Sequence, residues 1–204
     1  MQQDEGLNNQ NQAANEVAFV ILCGGKSSRM GENKTFLPFG QYSSLIHYQY
    51  EKFSLAFPLV YISSKTNDFA FLKNKSCVLL DKDKEVYSPL MALKSILEQV
   101  NCSKVFILTV DTPFVSQNSV EKLIQNSFDF EITIASTPQK VHNLCGVFSK
   151  NLLPKIDEML KQDIHKIGYL IKQSQTHIIN FEDETEFLNM NTKLEYEKAL
   201  KLLK

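Results

Sequence analysis

Four short apolar runs punctuate the first half of the chain: "VAFVIL" at 17–22, "PLVYISS" at 58–64, "SCVLLD" at 76–81 and "KVFILTVD" at 104–111. Each is rich in β-branched and aromatic residues and almost free of polar positions, the pattern of strands covered on both faces. Between them the apolar positions recur at helical spacing. In "SSLIHYQYEKFSLAF", Leu45, Ile46, Tyr50 and Phe53 share a face. "SPLMALKSILEQV" opens on Ser-Pro, a helix-start signal, and aligns Leu90, Leu93, Ile96, Leu97 and Val100. Strand–helix alternation of this kind predicts an α/β fold, Rossmann-like, with a mostly parallel sheet flanked by helices and right-handed crossovers.

The second half is less regular. "FEITIAS" and "HNLCGVFS" read as strands, "NLLPKIDEMLKQD" and "KIGYLIKQ" as short helices, "THIINF" as another strand and "TKLEYEKALKLLK" as a closing helix. With no Gly/Ser-rich linker and no repeat, residues 17–204 read as a single domain. Residues 1–16, "MQQDEGLNNQNQAANE", carry almost nothing to bury and read as a disordered N-terminal tail.

Composition narrows the function classes. A formal net charge of −1 supplies no global attraction to nucleic acid or to an anionic membrane, so any phosphate binding has to be local. Cys23, Cys77, Cys102 and Cys145 show no close-set pairs and read as buried or half-buried thiols in a reducing compartment. Without a membrane-length apolar run or a secretion signal, the expected location is the cytoplasm.

The chemistry concentrates in the loop after the first strand, "GGKSSRMGENK" from Gly24 to Lys34. In an open α/β sheet, ligands sit at the carboxyl ends of strands. Gly24 and Gly25 let the backbone come close to a ligand, successive N–H groups can cradle an anion, and Arg29 and Lys34 add fixed positive charge. A nucleoside triphosphate suits such a loop. The spacing fits neither the P-loop nor the dinucleotide fingerprint. Asp111, at the end of an apolar strand and followed by Thr-Pro, fits a divalent-cation ligand, a cap for the helix starting near Ser116 or a residue shaping the turn before Pro113. Asp81 reads as a strand-end aspartate in a charged turn. Asn191 and Thr192 precede the last helix and fit N-capping as well as ligand contact. The lysines of "KQDIHK" and "KALKLLK" either attract a phosphorylated substrate or face solvent.

"LCGGKSSRMGENK" resembles the LxGGxSxRMGxxK signature of nucleotidyltransferases, and most of all that of the molybdenum cofactor guanylyltransferases of the MobA type. The resemblance runs from about Val17 onward and implies a nucleotidyltransferase-type domain whose N-terminal half binds nucleotide and whose C-terminal half binds pterin. It implies transfer of GMP from GTP to molybdenum-molybdopterin, giving the guanine dinucleotide cofactor and pyrophosphate. By the same resemblance Leu22, Cys23 and Gly24 contact the nucleotide and Lys34 its phosphates. "VDTPFV" matches the family's CDTPxxP block, whose aspartate, here Asp111, holds Mg2+. Asp81 stands seven residues ahead of Ser88 in "SPLMA", the counterpart of GPLAG, which makes Asp81 the guanine reader. Ser88 and Ala92 replace that block's glycines, and Ser64 stands where the family has a base-contacting asparagine. "LNMNTKLEYEKAL" is similar to VNxNTPEDL and places Asn189 and Asn191 on the pterin side, with His142 in the place of a family HP segment. Arg29, Lys34 and Asp111 are then the catalytic set. Implied partners are GTP, molybdenum-molybdopterin and, transiently, molybdoenzymes or other cofactor-biosynthesis proteins; nucleic acid and membrane are not among them. The alternatives are a nucleotidyltransferase using CTP or a sugar or polyol phosphate acceptor, and a nucleotide-binding protein without turnover.

Overall fold

The computed structural model describes residues 17–24, 33–81 and 88–203. The expected tail at 1–16, and Gly25 and Arg29 of the glycine-rich loop, lie outside the described residues.

Seven strands form one sheet: β1 (Val17–Cys23), β2 (Val60–Ser64), β3 (Val78–Leu80), β4 (Lys104–Thr109), β5 (Ile132–Ser136), β6 (Val141–Ser149) and β7 (Thr176–Asn180). Their spatial order is β3-β2-β1-β4-β6-β5-β7. β1 pairs in parallel with both β2 and β4, β2 with β3, and β5 with β7, while β6 runs antiparallel to its neighbours β4 and β5. The sheet is therefore mostly parallel, as the sequence pattern predicts.

The unbroken apolar character of β1 has a direct cause. Val17, Phe19 and Ile21 point into one core, and Ala18, Val20 and Leu22 into another on the opposite face. The first core takes its helical cover from α1 (Leu45–Ser54), α3 (Gln117–Gln125) and α6 (Lys193–Leu202), the second from α2 (Pro89–Gln99), α4 (Leu153–Lys161) and α5 (Ile167–Lys172). Phe19 anchors the first core, stacked at 4.3 Å on Phe53 of α1 and at 5.1 Å on Phe106 of β4. Such stacked pairs add about 0.5–1.5 kcal/mol beyond the area they bury.

Helix starts follow local chemistry. The side chains of Ser44, Ser88 and Ser116 cap α1, α2 and α3, and Pro89 occupies the first turn of α2. At α6, Thr192 and Glu195 form a reciprocal capping box. Parallel pairing of β1 with β4 and antiparallel pairing of β4 with β6 put the carboxyl ends of β1 and β4 and the start of β6 along one edge, where Lys34 and Asp111 meet.

Candidate active site

Asp111 sits just past the end of β4, whose ladder with β1 is extended by the Val110 N–H donating to Leu22 O at 3.1 Å. The following turn is closed by Thr112, whose hydroxyl donates to Thr109 O at 3.0 Å. From α1, Gln49 Nε2 donates to Val110 O at 3.3 Å, and Lys52 Nζ donates to Pro113 O at 3.0 Å and Val115 O at 2.7 Å. Burial lowers Lys52 to about 8, with the Glu186 charge resisting the shift. On the other side, the Met190 N–H donates to Asp111 O at 2.9 Å. The aspartate is thus fixed from an early helix and from the C-terminal segment at once.

Lys34 opens the short turn Lys34–Phe36, held by Asn33, whose side chain accepts from the Thr35 N–H at 3.1 Å. Its ammonium reaches Asp111 Oδ2 at 2.7 Å, Asn191 Oδ1 at 3.2 Å and Met190 O at 3.4 Å. Three sequence blocks, 77 and 157 residues apart, meet on this one ammonium group. The open alternatives close here in part. Ser116 caps α3, so Asp111 is not spent as a cap, and Thr192 caps α6, which leaves the Asn191 carboxamide free to face Lys34.

The other oxygen of Asp111, Oδ1, is buried and has no hydrogen-bond partner among the described residues. A buried carboxylate oxygen without a donor is costly unless a cation or water completes it. No group of three or more His, Cys, Asp or Glu side chains among the described residues is close enough to hold a metal by itself. Asp111 Oδ1, with the Asn191 oxygen across the Lys34 ammonium, is the hard-oxygen set that suits Mg2+, which takes one or two protein oxygens and completes its shell with phosphates and water.

Leu22, Cys23 and Gly24 finish β1 beside this cluster. The Leu22 side chain is in the core, so only its backbone is offered at the edge. Cys23 is held well above the usual thiol range by burial, with Thr35 pulling the other way, so it stays a protonated, inert thiol. Among the described residues, a Cβ on the exposed Gly24 would touch only Leu22 Cδ1, at 3.7 Å. Asp81 stands apart, after β3 and two strands away from β1. Ser63 Oγ donates to it at 3.4 Å, and burial raises its carboxyl above the ordinary aspartate value against the pull of Lys65 and Ser63. Ser64 is occupied with its own turn, accepting from the Thr66 N–H at 3.3 Å.

A cleft of about 210 Å³ opens beside Asp111, with His142, Asn143 and Asn189 in its walls. His142 is buried, lies 4.9 Å from the Phe187 ring, and is lowered to about 4 by burial and by the Lys140 charge. Asn189 accepts from Lys140 Nζ at 3.2 Å. Gln49 and Lys52, which hold the Asp111 turn, escaped the sequence reading, although Gln49 is legible as a polar residue on the apolar stripe of Leu45, Ile46 and Phe53. His165 lies with Nδ1 at 3.0 Å from Ser88 Oγ and so ties the α4–α5 connection to the cap of α2. Among the described residues, no helix is long and apolar enough to cross a membrane.

Comparison with known proteins gives this edge a context. The family model described as the MobA-like NTP transferase domain matches residues 19–177. A molybdenum cofactor guanylyltransferase of Campylobacter jejuni is 42% identical over 189 residues, covering 90% of this chain and 95% of its own. One of Helicobacter pylori is 34% identical over 201 residues, covering 95% and 96%. Molybdopterin-guanine dinucleotide biosynthesis protein A of Archaeoglobus fulgidus superposes with a TM-score of 0.76 over 92% of this chain and 98% of its own, at 16% identity, a likeness of fold.

Proposed function

The chain belongs to the MobA-like NTP transferase family and is a nucleotidyltransferase; from that premise we propose that it transfers GMP from GTP to molybdenum-molybdopterin in the cytoplasm, with Mg2+ as cofactor. The observation that carries the catalytic assignment is the meeting of Lys34, Asp111 and Asn191 at the carboxyl ends of β1 and β4.

A phosphate oxygen of molybdopterin attacks the α-phosphorus of GTP. The new P–O bond forms as the bond to the β-phosphate bridging oxygen breaks, and that electron pair leaves with pyrophosphate. The attacking group is already an anion, so no side chain has to remove a proton, and catalysis is positioning and charge neutralisation. Bound Mg2+ supplies charge neutralisation on the nucleotide phosphates. Asp111 Oδ1 and the Asn191 carboxamide oxygen are the groups that would hold it. Lys34 moves its charge from Asp111 to the α-phosphate, assisted by Arg29, while the backbone at Gly24 and Gly25 holds the triphosphate. Leu22 and Cys23 line the nucleotide, Asp81 accepts from guanine N1–H and the 2-amino group, and His142 and Asn189 face the acceptor. The N-terminal half thereby binds nucleotide and the C-terminal half pterin, with transient contacts to molybdoenzymes at handover.

The test is pyrophosphate release with Mg2+, comparing GTP with CTP, with and without molybdopterin. Release confined to GTP plus molybdopterin supports the reading, and a preference for CTP removes the guanine assignment of Asp81. Lys34→Ala should lower turnover about a hundredfold or more at saturating GTP and Mg2+; unchanged turnover removes Lys34 from the catalytic set.

A further inference from the structure

Along β5 and β6 the register breaks once. Ile134 pairs with Gly146, yet the next residue, Ala135, pairs with His142, so one step on β5 spans four on β6. Asn143, Leu144 and Cys145 are left without counterparts on β5, and they form the wall beside Asp111. Asn143 and Leu144 also line a second groove of about 640 Å³ on the far side of that wall. The two hollows therefore share Asn143 and Leu144 as lining.

Resting on the function proposed above, we propose that this second groove seats the fused ring system of molybdopterin, with Lys166 and Lys172 facing its anionic dithiolene–oxomolybdenum end. The groove's volume falls in the range of about 300–1,000 Å³ typical of small-molecule sites. Pro89, Leu144, Ile167 and Tyr169 give it apolar and aromatic walls suited to a flat heteroaromatic. Lys166 and Lys172 stand at it exposed, with no ion-pair or side-chain hydrogen-bond partner among the described residues. In the competing hollow on the other side of Asn189, Lys140 bonds Asn189, Glu195 closes the capping box of α6 and Gln139 bonds Glu184, which leaves Lys198 as a single lysine without a side-chain partner among the described residues, against two in the second groove. The first hollow's share of the acceptor is its phosphate end, next to Asp111.

The experiment measures KM for molybdopterin and for GTP in full-length protein carrying Lys166→Glu with Lys172→Glu, or Gly168→Trp. A Cβ on Gly168 would lie 3.9 Å from Asn143 Nδ2, so the added ring fits its first atoms and fills the groove. Lys161→Glu, at the end of α4 and outside the groove, controls for general charge. The expected result is a rise of at least tenfold in KM for molybdopterin in both groove variants, with KM for GTP within twofold of wild type and Lys161→Glu silent. An unchanged KM for molybdopterin, or an equal rise in Lys161→Glu, overturns the proposal. If the wild type makes no dinucleotide, it is the function reading that has failed. The groove is then judged by molybdopterin binding followed through its fluorescence: weakening in both groove variants supports the proposal, while wild-type-like binding, or no binding by the wild type, overturns it.

Discussion

Asp81 and Asp111 are both aspartates at the carboxyl ends of buried strands, yet their surroundings fit them for different work. Asp111 holds an ammonium on one oxygen and has the other buried and unpartnered, an arrangement made for cations. Among the described residues Asp81 is supported by the Ser63 hydroxyl and the Lys65 charge, and burial raises its carboxyl. Its neutral form therefore appears at a higher pH than for an ordinary aspartate near 3.9, and a neutral carboxyl cannot accept from both guanine donors. KM for GTP should accordingly rise on acidification at a higher pH than an ordinary aspartate would give. Asp81→Asn should raise KM for GTP about tenfold at neutral pH, the cost of one charged hydrogen-bond partner, and abolish that acid limb. His142 makes the opposite case. Its folded value near 4 lies below the ordinary 6.5, so between these values the unfolded chain binds the extra proton. His142 should thus contribute a loss of stability as pH falls from about 6.5 to about 4, and its ring protons, followed by NMR, should not titrate until about 4. Lys34 and Asp111 were legible because strand ends and glycine-rich loops announce themselves locally. Lys52 was not, because its partners Pro113 and Val115 are 61 and 63 residues away and its own segment reads as an ordinary helix face.

At the scale of elements, the parallel strands were readable because each must bury both faces, and β1 does so residue by residue. The direction of β6 was not readable. "HNLCGVFS" has the composition of any covered strand, and its antiparallel placement is decided by pairing with β4 and β5, which local pattern does not encode. The register break depends on Gly146, where a Cβ would lie 2.1 Å from Thr133 O and 2.7 Å from Ile134 Cα. Both are backbone atoms that cannot give way without moving β5. Gly146→Ala should cost about 3 kcal/mol in urea unfolding, the upper end for overpacking, and its damage should centre on the Asn143–Cys145 wall. The tie between α1 and the turn after Asp111 is testable in the same way. Lys52→Met strips Pro113 O and Val115 O of their donor, for an expected loss of about 1–3 kcal/mol. It should also raise the Mg2+ concentration needed for half-maximal activity, because the loosened turn carries Asp111.

For the whole molecule, an early turn, the end of β4 and the segment before α6 are brought onto one ammonium group, and that closure sets how ligands and stability are coupled. The motif blocks were legible one at a time, but the meeting of three of them was not: Lys34 with Asn191 is a contact across 157 residues, delivered by the sheet order and by the Met190 bond to Asp111. GTP entering alone must draw Lys34 from Asp111, which leaves a bare carboxylate facing phosphates in a partly buried site. Mg2+ entering alone meets a carboxylate already neutralised by Lys34. Supplied together, each relieves the charge the other creates, so binding should be strongly synergistic. A ligand at a hundred times its Kd stabilises the fold by about 2.7 kcal/mol. A thermal melt should therefore show a clear rise in Tm with GTP and Mg2+ together and little with either alone. Asp111→Asn should remove the synergy while leaving GTP free to bind Lys34, now released from its ion pair, so that GTP without Mg2+ stabilises the variant more than the wild type. Equal Tm shifts for GTP with and without Mg2+ in the wild type would show that Asp111 and Lys34 do not exchange partners.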